Sequence, residues 1–173
     1  FFGPETSIAS RCMIAGMVGN NACGLHSLIY GSTREHTKSI TAFLSDGSEA
    51  TFGSLTKEAF QEKCIGEALE NKLYRQIRDM LSDNNLANEI RHEFPDPEVV
   101  RRNTGYALDL LLETAPFTET QEEFNFCKLL AGSEGTLAFF TEITLNLVDI
   151  PPQNKALVCV HVDKLDDALR ANL

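Results

Sequence analysis

Residues 11–31 read RCMIAGMVGNNACGLHSLIYG, and this stretch restricts the possible fold of the chain more than any other. Gly16, Gly19, Gly24 and Gly31 punctuate a segment whose polar side chains are mainly neutral: Asn20, Asn21, His26 and Ser27. Glycine adopts positive φ at no steric cost and lets a backbone N–H come close to a ligand. Paired asparagines add neutral donors and acceptors suited to phosphate or ribose oxygens. From composition alone, a tight turn region between strands and a ligand-wrapping loop are equally open readings. A second glycine turn, Gly132-Ser133-Glu134-Gly135-Thr136, leads into a long apolar run. Two such turns are able to wall one extended cofactor from two sides.

The 173 residues suffice for one domain with a real core, or one domain and part of another. A net charge of −10 argues against nucleic-acid binding, which needs clustered Lys and Arg. It does not argue against an anionic dinucleotide, because backbone N–H groups bind pyrophosphate with few basic side chains. Between residues 8 and 37 the basic side chains are Arg11 and Arg34, so a phosphate there depends on backbone and amide donors. No apolar run approaches the roughly 20 residues that span a bilayer. The opening FFGPETS lacks a signal-peptide pattern and reads as a cut end. Five scattered cysteines (Cys12, Cys23, Cys64, Cys127, Cys159) form no C-x-x-C pair. They read as reduced, buried thiols of a cytoplasmic protein rather than zinc or iron–sulfur ligands. His26, His36, His92 and His161 show no metal-ligand spacing, so no metal site is expected. Ser27 and Ser133 lack the partners of a hydrolytic nucleophile.

Residues 39–52 read as a β-hairpin, with Ile40, Ala42 and Leu44 alternating and Asp46-Gly47 at the turn. Residues 137–148 read as one long or two consecutive strands, with Phe139, Thr141, Ile143, Leu145 and Leu147 on one face. Between them lies a helical block. Ile65, Leu69, Leu73, Ile77, Met80 and Leu81 recur at helical spacing, a shorter helix follows around Leu86 to His92, and another spans Thr120 to Leu130. After Pro151-Pro152, Ala156 to Val162 reads as a strand and Leu165 to Asn172 as a helix start. The expected class is α+β, with a mainly antiparallel sheet and helices on one side.

GPETS at 3–7, MIAGMVGNNACG at 13–24, YGSTREH at 30–36, LSDGS at 44–48, RRNTGYAL at 101–108 and AGSEGTLAFFTEITL at 131–145 follow one family's order. The chain resembles FAD-linked oxidases and dehydrogenases of the vanillyl-alcohol-oxidase (PCMH-type FAD-binding) superfamily, nearest to the D-lactate, glycolate and D-2-hydroxyglutarate dehydrogenases. Ala15 and Met13 stand where the family has glycine and threonine, so contacts at position 13 fall to the backbone. The resemblance implies that residues 1–150 form the later part of an FAD-binding domain, with a helical insertion at about 54–130. It also implies that 151–173 begin a separate substrate domain, and that the pyrophosphate loop lies upstream of Phe1. A piece of this extent is expected to purify without tightly bound FAD.

The same resemblance places Pro4, Thr6 and Ser7 along the pyrophosphate or ribityl chain. Gly16, Gly19, Asn20, Asn21 and Gly24 wrap the phosphate side, and Tyr30 and Gly31 follow the same ligand. Gly132, Ser133, Glu134 and Gly135 sit beside the cofactor, where Glu134 either touches it or braces the turn. Ile143 packs near the adenine or simply in the core. Arg101, Arg102, Asn103 and Tyr106 are the candidates for an anionic substrate, since a guanidinium grips a carboxylate bidentately. The usual attachment histidine of the superfamily falls outside this chain, which argues against covalent flavin at His26. The implied function is an FAD-dependent 2-hydroxy-acid dehydrogenase, with FAD and a small 2-hydroxy acid as partners. Hydride passes to the flavin, and no catalytic base lies in this chain. A flavin-fold binding module without turnover, or a sugar or alcohol oxidase on the same fold, are the alternatives.

Overall fold

The structure, a computed structural model, describes residues 1–171 apart from 7, 97, 100, 101, 103, 104 and 155. Short helices α1 (Ile14–Gly19), α2 (Ser27–Tyr30) and α3 (Thr33–His36) lead into strands β1 (Thr37–Phe43), β2 (Glu49–Phe52) and β3 (Ser54–Leu55). Helices α4 (Lys57–Lys63), α5 (Leu69–Ser82), α6 (Asn84–Glu93) and α7 (Leu108–Leu112) follow. Then come β4 (Phe124–Asn125), α8 (Cys127–Leu130), β5 (Phe139–Leu145) and α9 (Leu165–Arg170). The main sheet has the order β2-β1-β5, all antiparallel, and β3 pairs with β4 in a second small sheet. The class is α+β, as the alternation predicts.

The hairpin forms where two-residue periodicity places it. Ile40 and Ala42 are fully buried and Leu44 nearly so. Gly47 turns the chain at φ +81, while Asp46 Oδ1 accepts hydrogen bonds from the Ser48 N–H and hydroxyl. β5 corrects its expected face. Thr41 pairs with Glu142 but Ala42 pairs with Phe140, so one extra residue sits in β5 at this point. Such a bulge inverts side-chain parity. Phe140 therefore joins Ile143 and Leu145 against the core, while Phe139 turns outward.

Helices cover the sheet through an aromatic cluster. In α5, Leu73, Ile77 and Leu81 form an apolar stripe, joined by Tyr74. Tyr74 meets Phe126 at 4.7 Å between ring centroids, and Phe60 of α4 meets Phe124 at 4.6 Å. Burial pushes the Tyr74 phenol far up from its usual range. Three expectations fail here. Ile65 lies between α4 and α5 and is exposed. Thr120 to Leu130 holds β4 and a single-turn α8 rather than one helix, because β3 captures Phe124 and Asn125 as a strand partner. Ala156 to Val162 is not a strand, since it finds no partner among the described residues. Every described residue from 151 to 171 is exposed.

Candidate functional site

The glycine segment is not a bare loop. α1 occupies Ile14–Gly19, and Gly16, Gly19 and Gly24 are not among the positive-φ residues. Left-handed backbone falls instead on Asn21 (φ 45) and Gly31 (φ 78). Asparagine is among the few non-glycine residues that adopt this conformation readily. Asn21 is 1% exposed, and its Oδ1 accepts from the Ser32 hydroxyl at 2.9 Å and the Arg34 N–H at 2.8 Å. It thus folds residues 20–34 back on themselves. Gly31 is needed because a Cβ there would meet the Glu35 carboxylate, which caps α3.

Gly24 serves a close approach of backbone to backbone. A Cβ at this position would overlap the Glu5 carbonyl oxygen. The absence of a side chain at Gly24 thus makes room for residues 5 and 6. Gly16 is the opposite case, with nothing within 4 Å of a Cβ position.

The second glycine turn docks on the end of α1. The Gly132 N–H donates to Val18 O and the Glu134 N–H to Gly19 O, each at 2.9 Å. Gly132 (φ 98), Glu134 (φ 51) and Gly135 (φ 76) are all left-handed. Glutamate in that region carries strain that the anchored turn must hold. The Glu134 backbone thus braces the turn while its side chain is exposed. The Tyr106 hydroxyl reaches Thr136 Oγ1 at 2.6 Å, which ties the polar segment before α7 to the same turn.

Two grooves flank α1. One, of about 410 Å³, is lined by Thr6, Cys12, Gly16, Met17, Asn20 and Cys23, among others. The other, of about 530 Å³, is lined by Ala15, Gly19, Phe43, Ser45, Thr136 and Phe139, among others. No carboxylate or ammonium lines either groove among the described residues. The Ser133 hydroxyl, in a residue 2% exposed, has no hydrogen-bond partner among the described residues. A neutral groove, an open glycine and an orphaned hydroxyl in the adjoining turn all suit a polar anionic ligand held by neutral donors.

Several candidate residues lie elsewhere. Ile143 pairs with Ile40 and packs on the core, and it lines neither groove. Tyr30 stacks edge-on with Phe1 and also lies outside both grooves. Pro4 is buried beside the Gly24 approach. Arg102 is not a free guanidinium: it pairs with Asp109 and donates to Pro95 O at 3.1 Å. Ser7, Arg101 and Asn103 fall outside the described residues. Among the cysteines, Cys64 and Cys127 are buried as expected, and desolvation pushes the Cys127 thiol up to about 12. Cys12 and Cys23 are half-buried and Cys159 is exposed, contrary to the reading of five buried thiols.

A family of FAD binding domains matches residues 1–53. Residues 1–53 of this chain thus correspond to part of an FAD binding domain. The FAD-binding segment so defined contains α1, Asn21 and the whole hairpin. The chain is 32% identical to the D-2-hydroxyglutarate dehydrogenase of Escherichia coli strain K12 and 34% identical to that of Haemophilus influenzae. The enzyme of the same name from Pseudomonas putida is 31% identical. Each match covers 98% of this chain but 16% of the relative. No solved structure gives a significant match. No helix among the described residues is long and apolar enough to cross a membrane.

Sequence reasoning missed Arg34. It is 4% exposed, yet its guanidinium donates to Ala131 O through Nε (3.1 Å) and Nη2 (2.7 Å), and to Gly105 O through Nη2 (2.6 Å). Burial lowers its pKa from the ordinary arginine value, opposed chiefly by the nearby Asp109 carboxylate. The available sequence signal was the scarcity of basic side chains near the glycine segment, where Arg34 is one of two between residues 8 and 37.

Proposed function

We propose that this chain supplies one side of the FAD site of a 2-hydroxy-acid dehydrogenase, with D-2-hydroxyglutarate or a close homologue as substrate. The observation that carries this reading is the docking of the Gly132–Gly135 turn on the end of α1, beside a neutral groove left open at Gly16. The names of the relatives supply the substrate class. When bound, FAD supplies the hydride acceptor for the substrate's α-carbon. This chain's residues bind and orient. The backbone around Gly16, the Thr6 hydroxyl and the Asn20 amide line the groove, while the Gly132–Gly135 turn docks on the end of α1 and lends Gly135 to the groove on the other side of that helix.

No residue here is assigned as the catalytic base, and the pairing of Arg102 with Asp109 argues against Arg102 as a free clamp for a carboxylate. The exposure of residues 151–171 supports reading them as the approach to a separate domain. The strongly acidic charge supports a site for small molecules rather than nucleic acid, in a cytoplasmic enzyme. The visible absorption of the full-length protein tests the reading. Flavin bands that bleach on adding D-2-hydroxyglutarate or D-lactate are expected. A colourless protein that takes up no FAD on titration overturns it.

A further inference from the structure

The glycine turn docked on the end of α1, between the two grooves, is held from behind by one buried side chain, whose functional role rests on the cofactor reading. Gly105 and Ala131 stand on either side of the excursion through α7, β4 and α8. The chain leaves one glycine-bearing segment, travels through that excursion, and returns to the other. Both ends meet at the guanidinium of Arg34. The Arg34 N–H is held in turn by Asn21, inside the first glycine segment. The guanidinium thus fixes the backbone at residues 105 and 131, while the Asn21 side chain fixes the backbone of residue 34 that carries it.

We propose that Arg34 is the positioning residue of the FAD groove: its fork on the Gly105 and Ala131 carbonyls sets the Gly132–Gly135 turn against α1 and thereby sets cofactor affinity. Arg34 lines neither groove beside α1, so it acts through the turn and not by touching the ligand. The carboxylate nearest to it in effect, Asp109, is already paired with Arg102. Arg34 is therefore balanced mainly by carbonyl dipoles, an arrangement that demands fixed geometry of those carbonyls. The turn cannot drift without stripping a buried cation of its acceptors. The spacing is also closed from the other side, since a Cβ at Gly132 would lie 2.6 Å from Arg34 Nη2. Lysine keeps the charge but lacks the planar fork, so it cannot reproduce the bridge.

The test uses the full-length protein with Arg34→Lys and Arg34→Met. FAD affinity is read by flavin fluorescence on titration, and amide hydrogen exchange is followed across residues 131–136. Ile77→Ala, in α5 and lining neither groove, serves as a control for general loss of Tm. Arg34→Lys is expected to weaken FAD binding about 10- to 100-fold, the effect of losing one charge-assisted hydrogen bond network, and to speed exchange at 131–136. Arg34→Met is expected to be at least as weak, with Ile77→Ala keeping wild-type affinity at a comparable Tm loss. Wild-type FAD affinity in Arg34→Lys overturns the proposal, and so does unchanged exchange at the turn. An equal loss of affinity in Ile77→Ala overturns it too. If the wild-type protein itself takes up no FAD, the cofactor reading fails, while the exchange measurement still reports on the clamp.

Discussion

Gly24→Ala is expected to disrupt the glycine segment, whereas Gly16→Val in the same segment is expected to fold normally and lose FAD. The two glycines look alike in sequence, yet their surroundings are opposite. At Gly24 a methyl group would overlap the Glu5 carbonyl oxygen and lie 2.6 Å from its carbon. Both are backbone atoms, so no rotamer change relieves the clash. Residues 5 and 6 must separate from residue 24, which breaks the buried packing around Thr6 and Ser27. A loss of at least about 3 kcal/mol is expected from such overpacking against backbone. At Gly16 a Cβ meets nothing within 4 Å, and the residue lies inside α1. Valine there changes stability by no more than about 0.5 kcal/mol, since its helix propensity is no worse than that of glycine. Its branched methyls enter the groove instead. Urea denaturation and flavin content of the two full-length variants separate the effects. Normal flavin content in Gly16→Val would show that the groove is not the cofactor site.

Gly132→Ala is the second substitution with a large expected effect. Its Cβ would lie 2.6 Å from Arg34 Nη2 and 2.9 Å from Gly105 O, at a backbone φ of +98 that side-chain-bearing residues rarely adopt. The alanine must push the guanidinium off its carbonyls or abandon the turn. Either way a buried cation loses acceptors, and a cost of about 3–5 kcal/mol is expected. Gly135→Ala provides the internal comparison. It has φ +76 but open space around it, so only the conformational penalty of about 1–2 kcal/mol applies. Thermal denaturation of both variants checks the ranking. Equal destabilisation would mean that the Arg34 packing contributes little.

Much of the fold was legible because its signals are local. The alternation of Ile40, Ala42 and Leu44 with an Asp-Gly turn specifies the hairpin, and the stripe through Leu73, Ile77 and Leu81 specifies α5. What escaped depends on partners distant in sequence. Phe124 and Asn125 become a strand because β3 is there to receive them, and Phe139 turns outward because a bulge forms against β1. Ala156 to Val162 has strand-forming side chains but no partner strand among the described residues. The site divides in the same way. The glycine turns were visible as composition, but the different duties of Gly16 and Gly24 were not, since one faces a groove and the other faces Glu5. Arg34 reads as an ordinary surface cation until the carbonyls of residues 105 and 131 surround it.

The long reach of these pairings has a kinetic consequence. Arg34 meets Ala131 across 97 residues, and Thr141 meets the Thr41 carbonyl across 100. Closing a loop of that length costs on the order of 4 kcal/mol of chain entropy before any contact repays it. Helices α5 and α6, by contrast, adjoin in sequence and pack on each other directly. The order of assembly should reflect this contrast, with the α5–α6 pair gaining protection first and the glycine turn docking on α1 last. Pulsed hydrogen exchange during refolding would show α5 amides protected ahead of the Gly132 and Glu134 amides. The groove would then be a late product of folding, open to solvent and to its ligand until the final step.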